Sequence, residues 1–107
     1  MFIGKVTGHL VTTQKEPPMA EAKLLVVEAY TASGPGADEL KPTGKVLVAV
    51  DFLGAGAGAY VLVTQGSSAR LSSRTKNMPV DAIVVGIIDA VQLQQKTWRP
   101  HAAESAV

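Results

Sequence analysis

The sequence predicts a small all-β domain: a five-stranded, OB-like Greek-key barrel with one short helix. Three observations lead there. Short runs rich in Val, Ile and Leu recur along the chain, each bounded by Gly, Pro, Ser or Asp. Five such runs fit a chain of 107 residues, which has room for one domain and one core. Between them there is no helix of adequate length to cover a sheet face.

The first strand, expected over 2–13, alternates unevenly. Phe2, Val6 and Leu10 share a face with Gly4 and Gly8, while Ile3, Lys5, Thr7, His9 and Val11 share the other. Glycines repeated on one face mark tight bends or close backbone approach, which help a small sheet close on itself. A proline-broken loop at 14–22 leads to the second strand, 23–31. The longest internal connector, 32–43, contains Gly34-Pro35-Gly36 and Pro42. The third and fourth strands, 44–52 and 59–65, flank the glycine ladder Gly54-Ala55-Gly56-Ala57-Gly58, read as a turn where backbones crowd without side chains. A helical turn follows at 67–72 with Ser67 as its N-cap, then a loop at 71–79 and a last strand at 82–94. Periodicity is lost after Gln95. The chain therefore reads as one domain, 1–94, and a flexible C-terminal tail, 95–107, unless Trp98 docks that tail on the body or on a neighbour.

Composition removes several classes of function. Apolar residues make up 47% of the chain and charged residues 18%, against roughly 25% in ordinary soluble domains. A net charge of +1 gives no bulk attraction to nucleic acid or to an anionic membrane. Without cysteine there is no disulfide framework and no thiolate metal site. The N-terminus lacks the h-region of a signal peptide, and no apolar run approaches the roughly 18 residues of a membrane helix. The expectation is a soluble, unprocessed protein.

The apolar faces are more informative. Strands with one wet face alternate apolar and polar. Here Ala82, Val84, Gly86 and Ile88 oppose Ile83, Val85 and Ile87, and Val46, Val48 and Val50 oppose Leu47 and Ala49. One face fills the barrel and the other needs a cover, since each Val, Leu or Ile is worth about 1.5–3 kcal/mol when buried. Other copies of the chain in a closed ring supply that cover most simply.

Candidate chemistry is weaker. The stretch from Gly54 to Ala59 fits the spacing of a dinucleotide fingerprint, but a strand-like Tyr60-Val61-Leu62-Val63 follows where a helix is required. Ser67 or Ser68 would need His9 or His101 as base and Asp51, Asp81 or Asp89 to orient it, and neither histidine has a supporting motif. Two separated histidines without cysteine or a spaced carboxylate pair form no usual ligand set, so no metal is expected. Arg70, Arg74 and Lys76, with Lys41 and Lys45 elsewhere, are basic but lack interleaved aromatic platforms; only Trp98 stands near basic residues, Lys96 and Arg99. Asp81 either accepts amide hydrogen bonds or pairs with an arginine, or stands solvated at the strand end.

In order, Lys5-Val6-Thr7-Gly8, Lys23-Leu24-Leu25-Val26-Val27, the glycine ladder, Gly66-Ser67-Ser68-Ala69-Arg70, and Pro79-Val80-Asp81-Ala82 running on to Asp89 resemble the EutN/CcmL family of bacterial microcompartment shell vertex proteins. The resemblance spans roughly residues 1–93. It implies a homopentamer shaped like a truncated pyramid, sitting in a microcompartment shell in the bacterial cytoplasm, with hexameric shell proteins as neighbours. It implies a structural protein, not an enzyme, with no cofactor. The number five comes only from the family. Gly54, Gly56, Gly58, Ser67, Arg70, Asp81, Ile83, Val85 and Ile87 are the structural and interface candidates, with Arg70 and Asp81 expected to meet within or between subunits. Loops 32–43 and 71–79 are candidates for the rim, and the 54–58 turn for a central opening. Two positions depart from the family: Gly58-Ala59 where relatives carry Gly-Glu, and Glu21 where many carry glycine. The alternative reading is an OB-like module binding single-stranded nucleic acid.

Overall fold

The computed structural model describes residues 1–11, 23–32, 39–66, 81–94 and 96–100. Five aliphatic runs become strands because β-branched side chains pack well on a pleated surface. They are β1 (Phe2–Leu10), β2 (Lys23–Thr31), β3 (Lys41–Asp51), β4 (Tyr60–Gln65) and β5 (Ala82–Ile87). They close into a barrel in the order β1-β2-β3-β5-β4. Every pairing is antiparallel except β3 with β5, which run parallel with Val50 beside Ile83. This is the expected five-stranded, all-β barrel. The helical turn expected at 67–72 lies outside the described residues.

Two differences follow the chain's local chemistry. β3 starts at Lys41, inside the segment read as loop, because Pro42 and Lys41 pair with Tyr30 and Thr31 beyond a bulge. That bulge holds Gly44 at φ 82°, and Thr43 Oγ1 donates to the Ala29 carbonyl at 2.9 Å. The last strand breaks after Ile87. The Ile88 amide makes one more bond, to Tyr60 O at 2.8 Å, and the chain then turns into a hairpin of β6 (Val91–Leu93) and β7 (Lys96–Trp98).

The core is a column of Val6, Leu25, Val27, Ala49, Val61, Val63, Ala82 and Val84, closed by Ala55. Gly4 lies on the same inner face, and a Cβ there would run into Val27 Cγ1. Close approach is thus real at Gly4. At Gly8 it is not, since nothing lies within 4 Å of an added Cβ. Instead β1 bulges between Val6 and Gly8. Val6 faces Val27 before the bulge, but Gly8 faces Val26 and Leu10 faces Leu24 after it. An extra residue reverses the alternation of faces, so Leu10 leaves the core side and is 43% exposed.

Asp51, the last residue of β3, is 2% exposed. Its Oδ1 accepts from the Leu53 amide at 2.9 Å, and its Oδ2 accepts from the amides of Gly54 at 3.0 Å and Ala55 at 2.8 Å. A buried carboxylate survives only with such partners. The three bonds wind the chain into a tight turn that drops Ala55 into the core. Lys23, opposite Asp51 in register, donates to the Ala55 carbonyl at 3.3 Å. Gly54 and Gly58 take φ of 82° and 87°, a region closed to most side chains. Gly58 N–H and Ala59 O then bond Val6 O and N–H at 2.8 and 2.9 Å, tying the turn to β1. Backbone crowding is not the reason for Gly54 and Gly56, since an added Cβ at either would meet nothing within 4 Å.

The hairpin docks on the outside of the barrel. Trp98 meets the Tyr60 ring edge to face at 4.6 Å, and Tyr60 meets Tyr30 in the same way at 5.3 Å. Lys5 Nζ lies 5.5 Å from the Tyr60 ring centre. Edge-to-face pairs add about 0.5–1.5 kcal/mol each beyond their burial. Burial first, then the hydrogen bond to Tyr60, holds the Tyr30 hydroxyl above its ordinary pKa.

Three substitutions test these roles by denaturant unfolding at one fixed protein concentration. Asp51→Ala should cost about 2–4 kcal/mol, because it strands amides that are part-buried or buried; Asp51→Asn should cost less, since one oxygen still accepts. Gly4→Ala should cost about 1–3 kcal/mol by overpacking against Val27, and adding Val27→Ala should cost less than the sum of the two single changes. Gly54→Ala should cost about 1 kcal/mol through its φ, whereas Gly56→Ala should be close to neutral.

Candidate interface surfaces

Residues opposite one another across a ladder share a face, so the register maps the outer wall directly. On β1, β2 and β3 it aligns Leu10 with Leu24 and Val50, Gly8 with Val26 and Val48, and Glu28 with Val46. Leu10, Val46 and Val48 are exposed, Val46 by 59%, while Leu24 and Val26 are half-buried. Two rows of this wall carry no polar side chain on any of the three strands, Leu10-Leu24-Val50 and Gly8-Val26-Val48, whereas a third sets Lys5 and Glu28 beside Val46. The wall's partial exposure corresponds to several kcal/mol of unrealised burial, at about 25 cal/mol per Å².

On the far side of the barrel the arrangement corrects the expectation for the last strand. Ile83, Val85 and Ile87 do not form one exposed stripe. Ile83 is 4% exposed and lies beside Val50 at 3%, so both are covered within the protomer although neither belongs to the core cluster. The β4–β5 ladder shifts register between Leu62 and Val63, pairing Val63 with Val84 and Leu62 with Gly86. Val85 is the extra residue, and Ile87 comes to sit opposite Val61. Val85 and Ile87 are each about half exposed, at 45% and 46%. Beside Ile87 a recess of about 170 Å³ is lined by the backbone-rich segment 56–59 together with Tyr60, Ile88 and Pro100. A second recess, of about 330 Å³, opens at the barrel end between Phe2, Ala29, Tyr30, Thr43 and Leu47.

Nothing described assembles into a catalytic set. Ser67, Ser68, Arg70, Arg74, Lys76 and His101 lie outside the described residues, and with them the expected Arg70–Asp81 contact. Asp81 is exposed, and its backbone carbonyl accepts from Gly66 N–H at 2.7 Å. His9 is exposed on β1. Among the described residues no three His, Asp or Glu side chains cluster as metal ligands. The glycine ladder leads into β4, so it has no helix N-terminus to offer a pyrophosphate. Among the described residues the buried carboxylate is Asp51, which the sequence offers only as a partner for a serine. Its signal was present: an aspartate closing a strand, with glycine three residues on, where Asx turns form.

The comparisons with known proteins agree with this geometry. The sequence model described as ethanolamine utilisation protein EutN/carboxysome matches residues 1–89. The bacterial microcompartment shell vertex protein EutN of Salmonella typhimurium is 43% identical over 91 residues, covering 85% of this chain and 86% of the relative. The solved structure of Gloeobacter violaceus CcmL superposes with a TM-score of 0.78 at 36% identity, covering 92% of this chain and 97% of that one. The GrpN pentameric microcompartment shell protein of Rhodospirillum rubrum superposes with a TM-score of 0.72 at 42% identity, covering 86% and 98%. With its fold and most of its length shared with these proteins, the chain belongs to the EutN/CcmL family.

Proposed function

We infer that the protein is a structural shell component: a homopentamer that caps the five-fold vertices of a bacterial microcompartment in the cytoplasm. The observation that carries this reading is the largely apolar outer wall of β1–β3, on a chain that otherwise matches vertex proteins over most of its length. A barrel working alone gains nothing from leaving Leu10, Val46 and Val48 half in water. A ring of copies gains their burial. The mechanism is geometric, since hexagonal tiles alone lie flat and a five-fold unit supplies the curvature that closes a shell. Hexameric shell proteins are the neighbours this role requires, and the segments 32–43, whose last residues belong to β3, and 71–79, outside the described residues, are proposed to form the rim.

A structural rather than catalytic role agrees with the polar groups on view. The Asp51 carboxylate is buried and accepts from three backbone amides, and Asp81 and His9 are exposed. The nucleic-acid reading is disfavoured by the aromatic side chains. Tyr30, Tyr60 and Trp98 present edges to one another, and Tyr60 is only 8% exposed, so these three form no open stacking platform.

Native mass spectrometry of the purified chain should give a five-chain ring as the main species. Co-production with hexameric shell proteins should yield closed polyhedral particles, and omission of this chain should leave sheets or open tubes. A single-chain species persisting at high concentration would overturn the reading.

A further inference from the structure

The β6–β7 hairpin is held to the molecule differently from the five barrel strands. It forms a separate two-stranded sheet, and among the described residues no ladder joins it to β1–β5. Its register puts Val91, Leu93, Lys96 and Trp98 on one face and Gln92 and Thr97 on the other. Val91, Leu93 and Trp98 are half-buried, whereas Gln92 and Thr97 are exposed. A two-stranded hairpin is at best marginally stable alone in water. Its turn also holds Gln94 at φ 55°, a region that side chains disfavour. The order of this hairpin therefore comes from what it leans on. One support is the Trp98–Tyr60 ring contact at 4.6 Å, and another is the buried Pro100, which walls the recess beside 56–60 and Ile87–Ile88.

The barrel does not lean on the hairpin in return. No hairpin residue belongs to the core column. Tyr60 is fixed by its place in β4 opposite Lys5 and by the ring of Tyr30. We propose that the β6–β7 hairpin is a strap that opens from the barrel as a unit while the five strands stay closed. Opening breaks the Trp98–Tyr60 contact, unseats Pro100, bares the outer face of Tyr60 and widens the recess beside Ile87. The hinge is Asp89–Ala90, which is exposed and lies outside both sheets. It follows directly on the Ile88 N–H bond to Tyr60 O at 2.8 Å, which holds the end of the barrel in place. Such local opening draws on the weakest unit of a structure, and here that unit is set off by its own sheet and its own turn. Every contact that opens lies within one subunit, so the equilibrium is independent of how many copies form a ring.

Trp98 is the sole tryptophan of the chain, so its emission follows the strap, while far-ultraviolet circular dichroism follows the barrel. In urea, the Trp98 emission of the wild-type protein should move to the red before the dichroism falls. Its midpoint should be the same at low and high protein concentration. Hydrogen exchange read by mass spectrometry gives the second measurement. A peptide covering 91–98 should be protected at least about tenfold less than peptides covering Val27 or Val61–Val63. Trp98→Leu keeps an apolar side chain but removes the ring contact. It should speed exchange in 91–98 by about threefold to tenfold and leave the barrel peptides unchanged. Coincident urea transitions would overturn the proposal, as would a Trp98 midpoint that shifts with protein concentration. Exchange in 91–98 that is indifferent to Trp98→Leu, or as slow as in the barrel, would overturn it as well.

Discussion

Five short strands wrapped into a barrel enclose only a thin column of side chains, here chiefly Val6, Leu25, Val27, Val61 and Val63. The same strands carry aliphatic residues outward as well. A wall that is apolar on both sides has to be covered on both sides, and the rest of the molecule is arranged around that constraint. The β6–β7 hairpin covers part of the outside by laying Trp98 on Tyr60. Val50 and Ile83 are covered within the protomer. What is left over, around Leu10, Val46 and Val48 and around Val85 and Ile87, is the surface that an assembly can use.

The corner after β3 is held in shape by well-placed polar contacts. Asp51 turns the chain at the end of β3 and, through three amides, sets Ala55 into the core. The turn is then fastened to β1 by two backbone bonds at Val6. One buried carboxylate thus links the β3 corner, the plug of the core and the strand on the other side. This also explains how a segment so rich in glycine remains ordered. Its conformational freedom is needed at Gly54 and Gly58, where φ is positive, and is otherwise restrained by hydrogen bonds.

Much of the fold was legible in the residues because strand signals are local. Runs of Val, Ile and Leu bounded by turn formers located all five barrel strands, and the context of Gly54–Gly58 identified a turn between strands rather than a nucleotide loop. The hairpin was not legible. Its turn uses Gln94 at φ 55°, where glycine or asparagine would have announced it. The site was legible in kind but not in place. Alternation alone put Ile83, Val85 and Ile87 on one exposed face, and a register shift against β4 moved them apart.

The sequence by itself determined the all-β class, the five strands of the barrel, the family and the excess of apolar surface, since each depends on composition, local pattern or ordered motifs. Only the tertiary structure decided which aliphatic side chains face water. That outcome rests on two bulges, at Thr7 and Val85, and on the single parallel contact between Val50 and Ile83. A bulge is a relation between two strands, set by how the barrel closes. One extra residue in a ladder reverses the faces beyond it, and no pattern within a single strand carries that information.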